Sequence, residues 1–269
     1  MTDMGRMGLG VDDTIKFVES THQYFDKSGN EFESVTRSLK KLQMPFDREG
    51  ISRRMASAMA SEQGISIAQA QAKILSEWDQ KRDSSIDRGT SIHGSLEQYL
   101  LKGSIVEEYR GVIEELKKIV AGAYRYYPEI ILYDERYRRA GQADLVVQRQ
   151  KGSSSIYDFY DYKTNEAKGI QFDSIGRKTD ELKHYNRFFL PPFNYLEDCN
   201  YNLYSLQLNF YAYFAVRTYG IKVGRLGIIF IDNQLKVHLI PVMFAPSIIK
   251  DILSHLEKMK KLPKPKDNW

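Results

Sequence analysis

Two segments combine strand-forming residues with acidic side chains, and they limit the fold of this chain more than any other feature. Residues 140–147 and 156–162 are rich in β-branched and aromatic residues, and the polar run 148–155 separates them. Such runs are typical of β-strands, and this spacing predicts an antiparallel hairpin. Together with the helical patterns elsewhere in the chain, the hairpin predicts an α/β protein with a central mixed sheet flanked by helices.

The hairpin brings two acidic residues and a lysine close together. If the strands pair about the middle of the polar run, Asp144 lies opposite Phe159, and Asp161 is its diagonal neighbour at roughly 7 Å. Because side chains alternate along a strand, Asp161 and Lys163 share a face and Tyr162 points the other way. Two close carboxylates repel each other unless a cation neutralises them, and oxygen ligands suit Mg²⁺ or Mn²⁺. The alternative is that Asp144 marks a turn and that Asp161 and Lys163 form a surface ion pair.

Two further motifs flank the hairpin. Arg88-Gly89-Thr90-Ser91-Ile92-His93 precedes it, and Gln207-Leu208-Asn209-Phe210-Tyr211 follows it. Gln207 and Tyr211 are spaced to share one face of a helix predicted over 201–219. Tyr211 is equally consistent with core packing, and a histidine on a helix face is commonly a hydrogen-bonded structural residue.

With these motifs the chain resembles the RecB-type branch of the PD-(D/E)XK nuclease superfamily, which includes lambda-type and mitochondrial genome-maintenance exonucleases. The similarity extends from His22-Gln23-Tyr24 and Ser34-Val35-Thr36, through the RGT-x-x-H helix and the G-x-x-D and D-x-K strands, to the Q-x-x-x-Y helix. It implies a restriction-endonuclease-like core with an N-terminal helical arm. The expected organisation is a flexible N-terminus (1–13), one nuclease domain (14–261, with the arm at 14–85, the catalytic core at 86–261 and a lid-like insertion at 165–200) and a tail (262–269).

The resemblance also implies roles for individual residues. The implied metal ligands are His93, Asp144, Asp161 and the backbone carbonyl of Tyr162. The implied cofactor is Mg²⁺, with Mn²⁺ also supporting activity. Lys163 would be the catalytic lysine, positioned to prepare a water or to offset charge on the phosphate. Gln207 and Tyr211 would orient Lys163 and the scissile phosphate.

Several other residues receive predictions that leave alternatives open. Glu135, expected in the strand before Asp144, is either a further acidic ligand or an exposed charge among arginines. Glu97 is the expected hydrogen-bond acceptor for His93. Ser34 begins a predicted helix 35–42, whose N-terminus is either an anion site near the DNA backbone or a simple cap. The residues expected to contact DNA are Ser34, Thr36, Arg37, Arg88 and Thr90.

The remaining helices and strands follow from periodicity and breakers. A helical pattern covers 49–81 with a break at Gly64, and a separate helix is expected from 86 to 101. The other predicted elements are a helix at 106–126, strands at 225–231 and 236–241, and a helix at 246–261.

Composition adds few constraints. The net charge of +4 is too small to demonstrate nucleic-acid binding, although basic residues cluster locally. The single cysteine, Cys199, excludes an internal disulfide and an intrinsic four-cysteine iron–sulfur cluster. No apolar run reaches the roughly 20 residues that span a bilayer, and no signal peptide is recognisable. We therefore expect no membrane contact and a cytoplasmic location, in a bacterial host if the chain is phage-encoded.

Residues 165–200 contain aromatic side chains that suit either of two roles. They could form a lid that stacks the bases of a single strand, or they could cover one end of the core. These residues are Phe172, Tyr185, Phe188, Phe189, Phe193 and Tyr195, beside the basic Lys178, Lys183 and Arg187.

The sequence thus predicts a metal-dependent deoxyribonuclease, most consistent with an exonuclease that processes DNA ends in recombination, repair or phage genome replication. The alternatives are an endonuclease that uses the same site and a non-catalytic DNA-binding module. The expected partner is DNA, as an end or a single strand, with a single-strand annealing or binding protein as a further candidate.

Overall fold

The strands of the chain form one mixed sheet. The computed structural model describes residues 9, 13–164 and 187–261, and within these ranges an eight-stranded sheet is flanked by helices. The predicted α/β class with a central mixed sheet is confirmed. The strands are β1 (Ile15–Val18), β2 (Gln23–Asp26), β3 (Glu31–Ser34), β4 (Arg125–Asp134), β5 (Arg139–Lys151), β6 (Ser154–Lys163), β7 (Lys222–Ile231) and β8 (Val237–Val242).

The helices pack on the sheet or form a separate arm. Within the described ranges they are α1 (Val35–Lys40), α2 (Arg48–Gln63), α3 (Ile67–Lys102), α4 (Arg110–Ile119), α5 (Asn200–Tyr219) and α6 (Pro246–Lys261). The bounds of α5 and α6 agree with the predicted helices 201–219 and 246–261. None of the described helices combines the length and the apolar character that a membrane crossing requires.

One edge of β5 is shared by two strands with a gap between them. β4 pairs along the opposite edge of β5. β3 runs parallel to the start of β5, with Ser34 opposite Ala140, and β6 runs antiparallel to residues 145–151. In the part of the chain that the structure describes, residues 141–144 therefore have no strand partner on this edge. The gap contains the whole of the G-x-x-D motif.

The β5–β6 hairpin is longer than predicted, and its register is different. The ladder continues through the polar residues to a turn at Gly152, and Leu145 lies opposite Tyr160. Phe159 consequently lies opposite Val146 rather than Asp144, so the predicted pairing was wrong by two residues. Polar residues near a solvated hairpin end carry no burial pattern that would fix the midpoint. An offset of two keeps every side chain on its predicted face.

The helix α3 joins two segments that the sequence divided. The predicted break at 82–85 is absent, and the helix continues from a capping box at Ser66 to a left-handed Gly103. Serine and aspartate favour helix ends in isolation, but on an exposed helix face their cost is small.

The next predicted helix, 106–126, was too long. α4 ends at Ile119, and Gly122, with φ of 73°, turns the chain into β4. The aromatic residues that follow this turn favour a strand.

Apolar side chains cover both faces of the sheet. Val146 and Phe159 pack against α5 and α6, whereas their chain neighbours Leu145 and Tyr160 pack against α3 and α4. Each large side chain buried in this way contributes about 1.5–3 kcal/mol. The helix α2 and the first half of α3 have a small core of their own, built around Ala56, Ala60, Ala70 and Ile74. This hairpin of helices is the predicted N-terminal arm.

Candidate metal centre

Three acidic residues occupy one register position on three adjacent strands. The β4–β5 ladder pairs Pro128 with Leu145 and Ile130 with Ala143, which places Glu129 across from Asp144. The β5–β6 ladder ends at Leu145 and Tyr160, and one further step places Asp144 across from Asp161. Directly opposite residues on one sheet face have their Cβ atoms about 4.5–5.5 Å apart. A row of carboxylates, Glu129–Asp144–Asp161, thus crosses the sheet beside the gap in the edge of β5.

His93 approaches this row from α3. Its Nδ1 atom lies 3.8 Å from Asp144 Oδ1. One ligand atom from each of His93, Glu129 and Asp144 can be chosen so that all three lie within 4.8 Å of one another. A single divalent ion can reach these three atoms after small side-chain adjustments.

Asp161 closes the row and carries a buried oxygen atom without a donor. Its Oδ2 atom contacts the ammonium of Lys163, whereas Oδ1 has no hydrogen-bond partner among the described residues. The carboxylate of Asp144 accepts a hydrogen bond from the Tyr162 N–H at 2.6 Å. Buried carboxylate oxygens are almost always satisfied, so the unpartnered Oδ1 indicates a missing cationic or hydrogen-bonding partner. These donors, an imidazole and several carboxylates, fit Mg²⁺ or Mn²⁺.

Crowding of the carboxylates changes their protonation. Burial, followed by the charges of Asp144 and then Glu97, raises the pKa of Glu129 to about 8. Burial raises the pKa of Asp161 to about 7, against the opposing effect of Lys163. Burial also raises the pKa of Asp144. At neutral pH the metal-free row therefore retains protons that a bound cation would displace.

His93 and Lys163 have the protonation states that a metal site needs. Burial and then the nearby Lys163 lower the pKa of His93 to about 4, so the imidazole is neutral and able to ligate. Burial alone would lower the pKa of Lys163, but the charges of Asp161 and Asp144 raise it overall. Lys163 is consequently a charged ammonium that neutralises negative charge. Its Nζ atom also lies 4.7 Å from the ring centroid of Tyr204 on α5.

Gln207 and Tyr211 project from α5 toward the same place. The Gln207 side-chain amide donates to the Tyr211 hydroxyl at 2.7 Å. The Tyr211 ring lies against Gly141, where an added Cβ would be 2.5 Å from ring atom Cε1. Burial and then the charge of Asp161 raise the pKa of Tyr211. Tyr211 is therefore part of the core and also a neighbour of the acidic row. Its role in orienting Lys163 and the phosphate stays a prediction.

Glu135 does not occupy the predicted position. β4 ends at Asp134, and Glu135 is exposed in the turn that follows. The acidic residue of this strand that faces the site is Glu129, which the sequence reasoning missed. The available signal was an acidic residue inside an otherwise apolar and aromatic strand, because a half-buried carboxylate in such a run needs a partner.

The predicted acceptor for His93 was also wrong. Among the described residues the hydrogen-bond partner of His93 is the backbone of Tyr162 rather than Glu97. The imidazole instead lies edge-on to the Tyr162 ring, with centroids 5.4 Å apart.

Of the residues predicted to contact DNA, Arg88 has structural partners inside the protein. Its guanidinium donates to the Thr164 carbonyl and, at 2.5 Å, to the Asp232 carbonyl. These carbonyls lie just past the ends of β6 and β7, so Arg88 ties both strands to α3. Thr90 is exposed on the same helix.

At the start of α1 the structure shows a simple cap. The Ser34 hydroxyl accepts from the Arg37 N–H at 3.1 Å, and the Arg37 guanidinium pairs with Glu31 at 2.8 Å. Thr36 is exposed. Contact of these residues with DNA stays a prediction, as does ligation by the Tyr162 carbonyl.

The expected aromatic lid is described only in part. Phe172, Lys178, Lys183 and Tyr185 lie outside the described residues, as do the tail and nearly all of the N-terminus. Phe189 and Phe193 belong to the core, which agrees for these two residues with the alternative that the aromatic side chains cover one end of the core. Phe188 and Tyr195 are exposed at 41% and 65%.

Comparisons with known proteins do not identify a family for this chain. No family model matches the chain, and no curated protein matches it. A solved structure described as "Crystal structure of SSO0001" is 14% identical, with 72% of this chain and 71% of that chain covered and a TM-score of 0.29. A similarity this weak supports no conclusion about fold family or function.

Proposed function

We propose that this protein is a metal-dependent deoxyribonuclease with a restriction-endonuclease-like core of the RecB type, and that it acts as an exonuclease on DNA ends. The observation that carries the proposal is the row Glu129–Asp144–Asp161, with His93 on one side and Lys163 on the other. An acidic row that can hold a divalent cation, with a charged lysine beside it, supports two tasks of phosphodiester hydrolysis, activation of a water and stabilisation of charge on the phosphate.

Each side chain has a distinct role in this proposal. Glu129, Asp144 and His93 hold the cation, and Asp161 joins them through its unpartnered oxygen. When bound, Mg²⁺ would polarise the phosphate and lower the pKa of a water. Lys163, a permanent ammonium beside Asp161, stabilises the negative charge that develops on the phosphate.

The residues from α5 position this machinery. The ring of Tyr204 and the carboxylate of Asp161 hold Lys163 between them. Gln207 fixes the Tyr211 hydroxyl, and Tyr211 packs on Gly141 at the gap. A larger residue at position 141 would push Tyr211 away from the row.

Matched linear and closed circular DNA provide the first test. Each form is offered single- and double-stranded with Mg²⁺, Mn²⁺ or EDTA, and the linear forms are labelled at either end. Metal-dependent loss of linear DNA alone is the expected result, and the labels give the polarity. Cleavage of circles would replace the exonuclease with an endonuclease. No cleavage of any substrate would leave only a DNA-binding module.

Metal binding is tested separately by calorimetry on Asp144→Asn. Loss of Mg²⁺ or Mn²⁺ affinity is expected, because the substitution removes the central carboxylate of the row. Asp251→Asn is the matched control, since Asp251 is exposed on α6 and distant in sequence from the row. Equal affinity of Asp144→Asn and the control would reject the ligand set.

The biological setting extends the same proposal. An end-processing nuclease domain with a single cysteine is consistent with phage-encoded enzymes that act in recombination or genome replication. Its partner would be a single-strand annealing or binding protein. Co-purification with such a protein, encoded beside the gene for this chain, would test the partnership.

A further inference from the structure

Gln142 stands next to the acidic row and reaches across to β4. In the β4–β5 register its strand partner is Ile131, and Glu129 is its diagonal neighbour. Diagonal neighbours on one face are within reach of long side chains. The Gln142 side-chain amide donates to the backbone carbonyl of Glu129 at 3.1 Å.

Glu129 needs such support because its backbone is strained. Its φ is 50°, in the left-handed region that residues with a Cβ seldom adopt. Glu129 and Asp144 are also the one pair missing from the β4–β5 ladder between Arg125 and Asp134. The Glu129 carbonyl is therefore held by a side chain at the point where the ladder is interrupted. Strained residues of this kind persist only where the surroundings fix them.

We propose that Gln142 is a positioning residue that holds Glu129 in its left-handed conformation and so aims the Glu129 carboxylate at His93 and Asp144. This role rests on the metal centre proposed above. Three of the four residues of the G-Q-A-D segment then have separate roles. Gly141 leaves space for the Tyr211 ring, Gln142 holds the backbone conformation of Glu129, and Asp144 is the central ligand of the proposed metal centre.

The test is a double-variant cycle on metal affinity, measured by calorimetry and therefore independent of cleavage. Gln142→Met keeps the length of the side chain but removes the donor. We expect about tenfold weaker Mg²⁺ and Mn²⁺ binding, the usual effect of losing a residue that orients a ligand. In the Glu129→Gln background, where the oriented carboxylate is absent, the same change should weaken binding less than about twofold.

Gln148→Met is the matched control. Gln148 lies on the same strand and the same face, and its amide donates to Ser155 at 2.9 Å, away from the row. The metal affinity of the Gln148→Met variant should equal that of the natural protein. Gln142→Asn, which keeps the amide but shortens the side chain, is the second variant if Gln142→Met folds poorly, and the same loss is expected.

The outcomes separate this role of Gln142 from the metal centre on which it rests. The positioning role would be overturned if Gln142→Met leaves metal affinity unchanged, or if it lowers metal affinity equally with and without the Glu129 carboxylate. In either case, a loss of metal affinity in Asp144→Asn would still support the metal centre. Unchanged affinity in Asp144→Asn would remove the metal centre itself. A large effect of Gln148→Met would show that any glutamine of β5 has this influence and would also overturn the positioning role.

Discussion

Two aspartates on β6, Asp158 and Asp161, are equally buried but have opposite surroundings. Each side chain is 1% exposed. Asp158 accepts from the Arg149 guanidinium at 2.6 Å and from the Arg225 N–H at 2.8 Å, and Arg149 also holds the Ile119 carbonyl of α4 at 2.9 Å. Asp161 contacts the Lys163 ammonium and the Asp144 carboxyl group, and among the described residues no N–H group donates to its Oδ1 atom.

The contrast shows that burial alone does not indicate function. A buried carboxylate whose oxygens are all satisfied has a structural role, because it joins elements together. A buried carboxylate left unsatisfied among like charges reduces stability and persists for another reason. The part of the hairpin around Asp158, with Arg149, is called its structural end below. The part around Asp161, with Lys163 and the proposed metal centre, is called its chemical end.

Removing the ammonium at the chemical end should have the largest effect. Lys163→Ala is expected to reduce cleavage by at least about 10²–10³-fold, since one charge-stabilising donor contributes that much. DNA affinity and folding should persist. Single-turnover digestion measures the rate, and Arg149→Ala at the structural end is the control, with lower stability but a rate per folded molecule near that of the natural protein. Retained turnover in Lys163→Ala would contradict the assigned chemistry.

The same substitution at the two aspartates should have unequal effects on stability. Asp158→Asn should lower the free energy of unfolding by about 1.5–3 kcal/mol, the worth of a hydrogen bond to a charged group. Asp161→Asn should destabilise the metal-free protein less than Asp158→Asn does, because relief of the carboxylate crowding offsets the loss of the ion pair with Lys163. Urea unfolding in EDTA measures both. Equal destabilisation by the two changes would erase the distinction between the ends.

Glycines at the two ends offer a similar contrast at a smaller scale. An added Cβ would lie 2.5 Å from the Tyr211 ring at Gly141 and 2.2 Å from the Asp158 carboxylate at Gly224. Each change to alanine should cost about 1–3 kcal/mol through overpacking. We expect Gly141→Ala to lower both the stability and the cleavage rate per folded molecule. Gly224→Ala should lower the stability and leave the cleavage rate per folded molecule unchanged. Thermal melts combined with rates per folded molecule distinguish these results.

The pH dependence of stability is the most gradual difference. Glu129 and Asp161 have folded-state pKa values of about 8 and about 7, raised first by burial, whereas in the unfolded chain both ionise near their ordinary pKa values. Between those limits the folded protein binds more protons, so the metal-free free energy of unfolding falls as pH rises. Each group contributes at most about 1.4 kcal/mol per pH unit. Urea unfolding of the natural protein from about pH 5 upward should show this fall in the free energy of unfolding. The fall should be weaker in Glu129→Gln, and at saturating Mg²⁺ the free energy of unfolding should change little with pH.

The sequence contained much of this fold and of its candidate site. Strand and helix types followed from periodicity, and the structure brings His93, Asp144, Asp161, Lys163, Gln207 and Tyr211 into one region, as the motifs predicted. The hairpin register did not follow, since residues 148–155 are polar and carry no facing preference. Glu129 was missed because its place depends on the register between β4 and β5 and on a left-handed backbone, and neither is encoded by residue type at that position.

The unbroken course of α3 has a mechanical consequence. One helix contains the second half of the arm at its start and His93 near its end, so a rigid-body rotation of α3 would move the imidazole as well. At about 1.5 Å rise per residue, Ile67 lies about 39 Å along the axis from His93, and a one-degree tilt displaces the tip by about 0.7 Å. A force applied at the tip therefore rotates α3 through a small angle. This rotation changes the distance between His93 and the carboxylates. Contacts made at the arm could thereby change distances within the proposed metal centre.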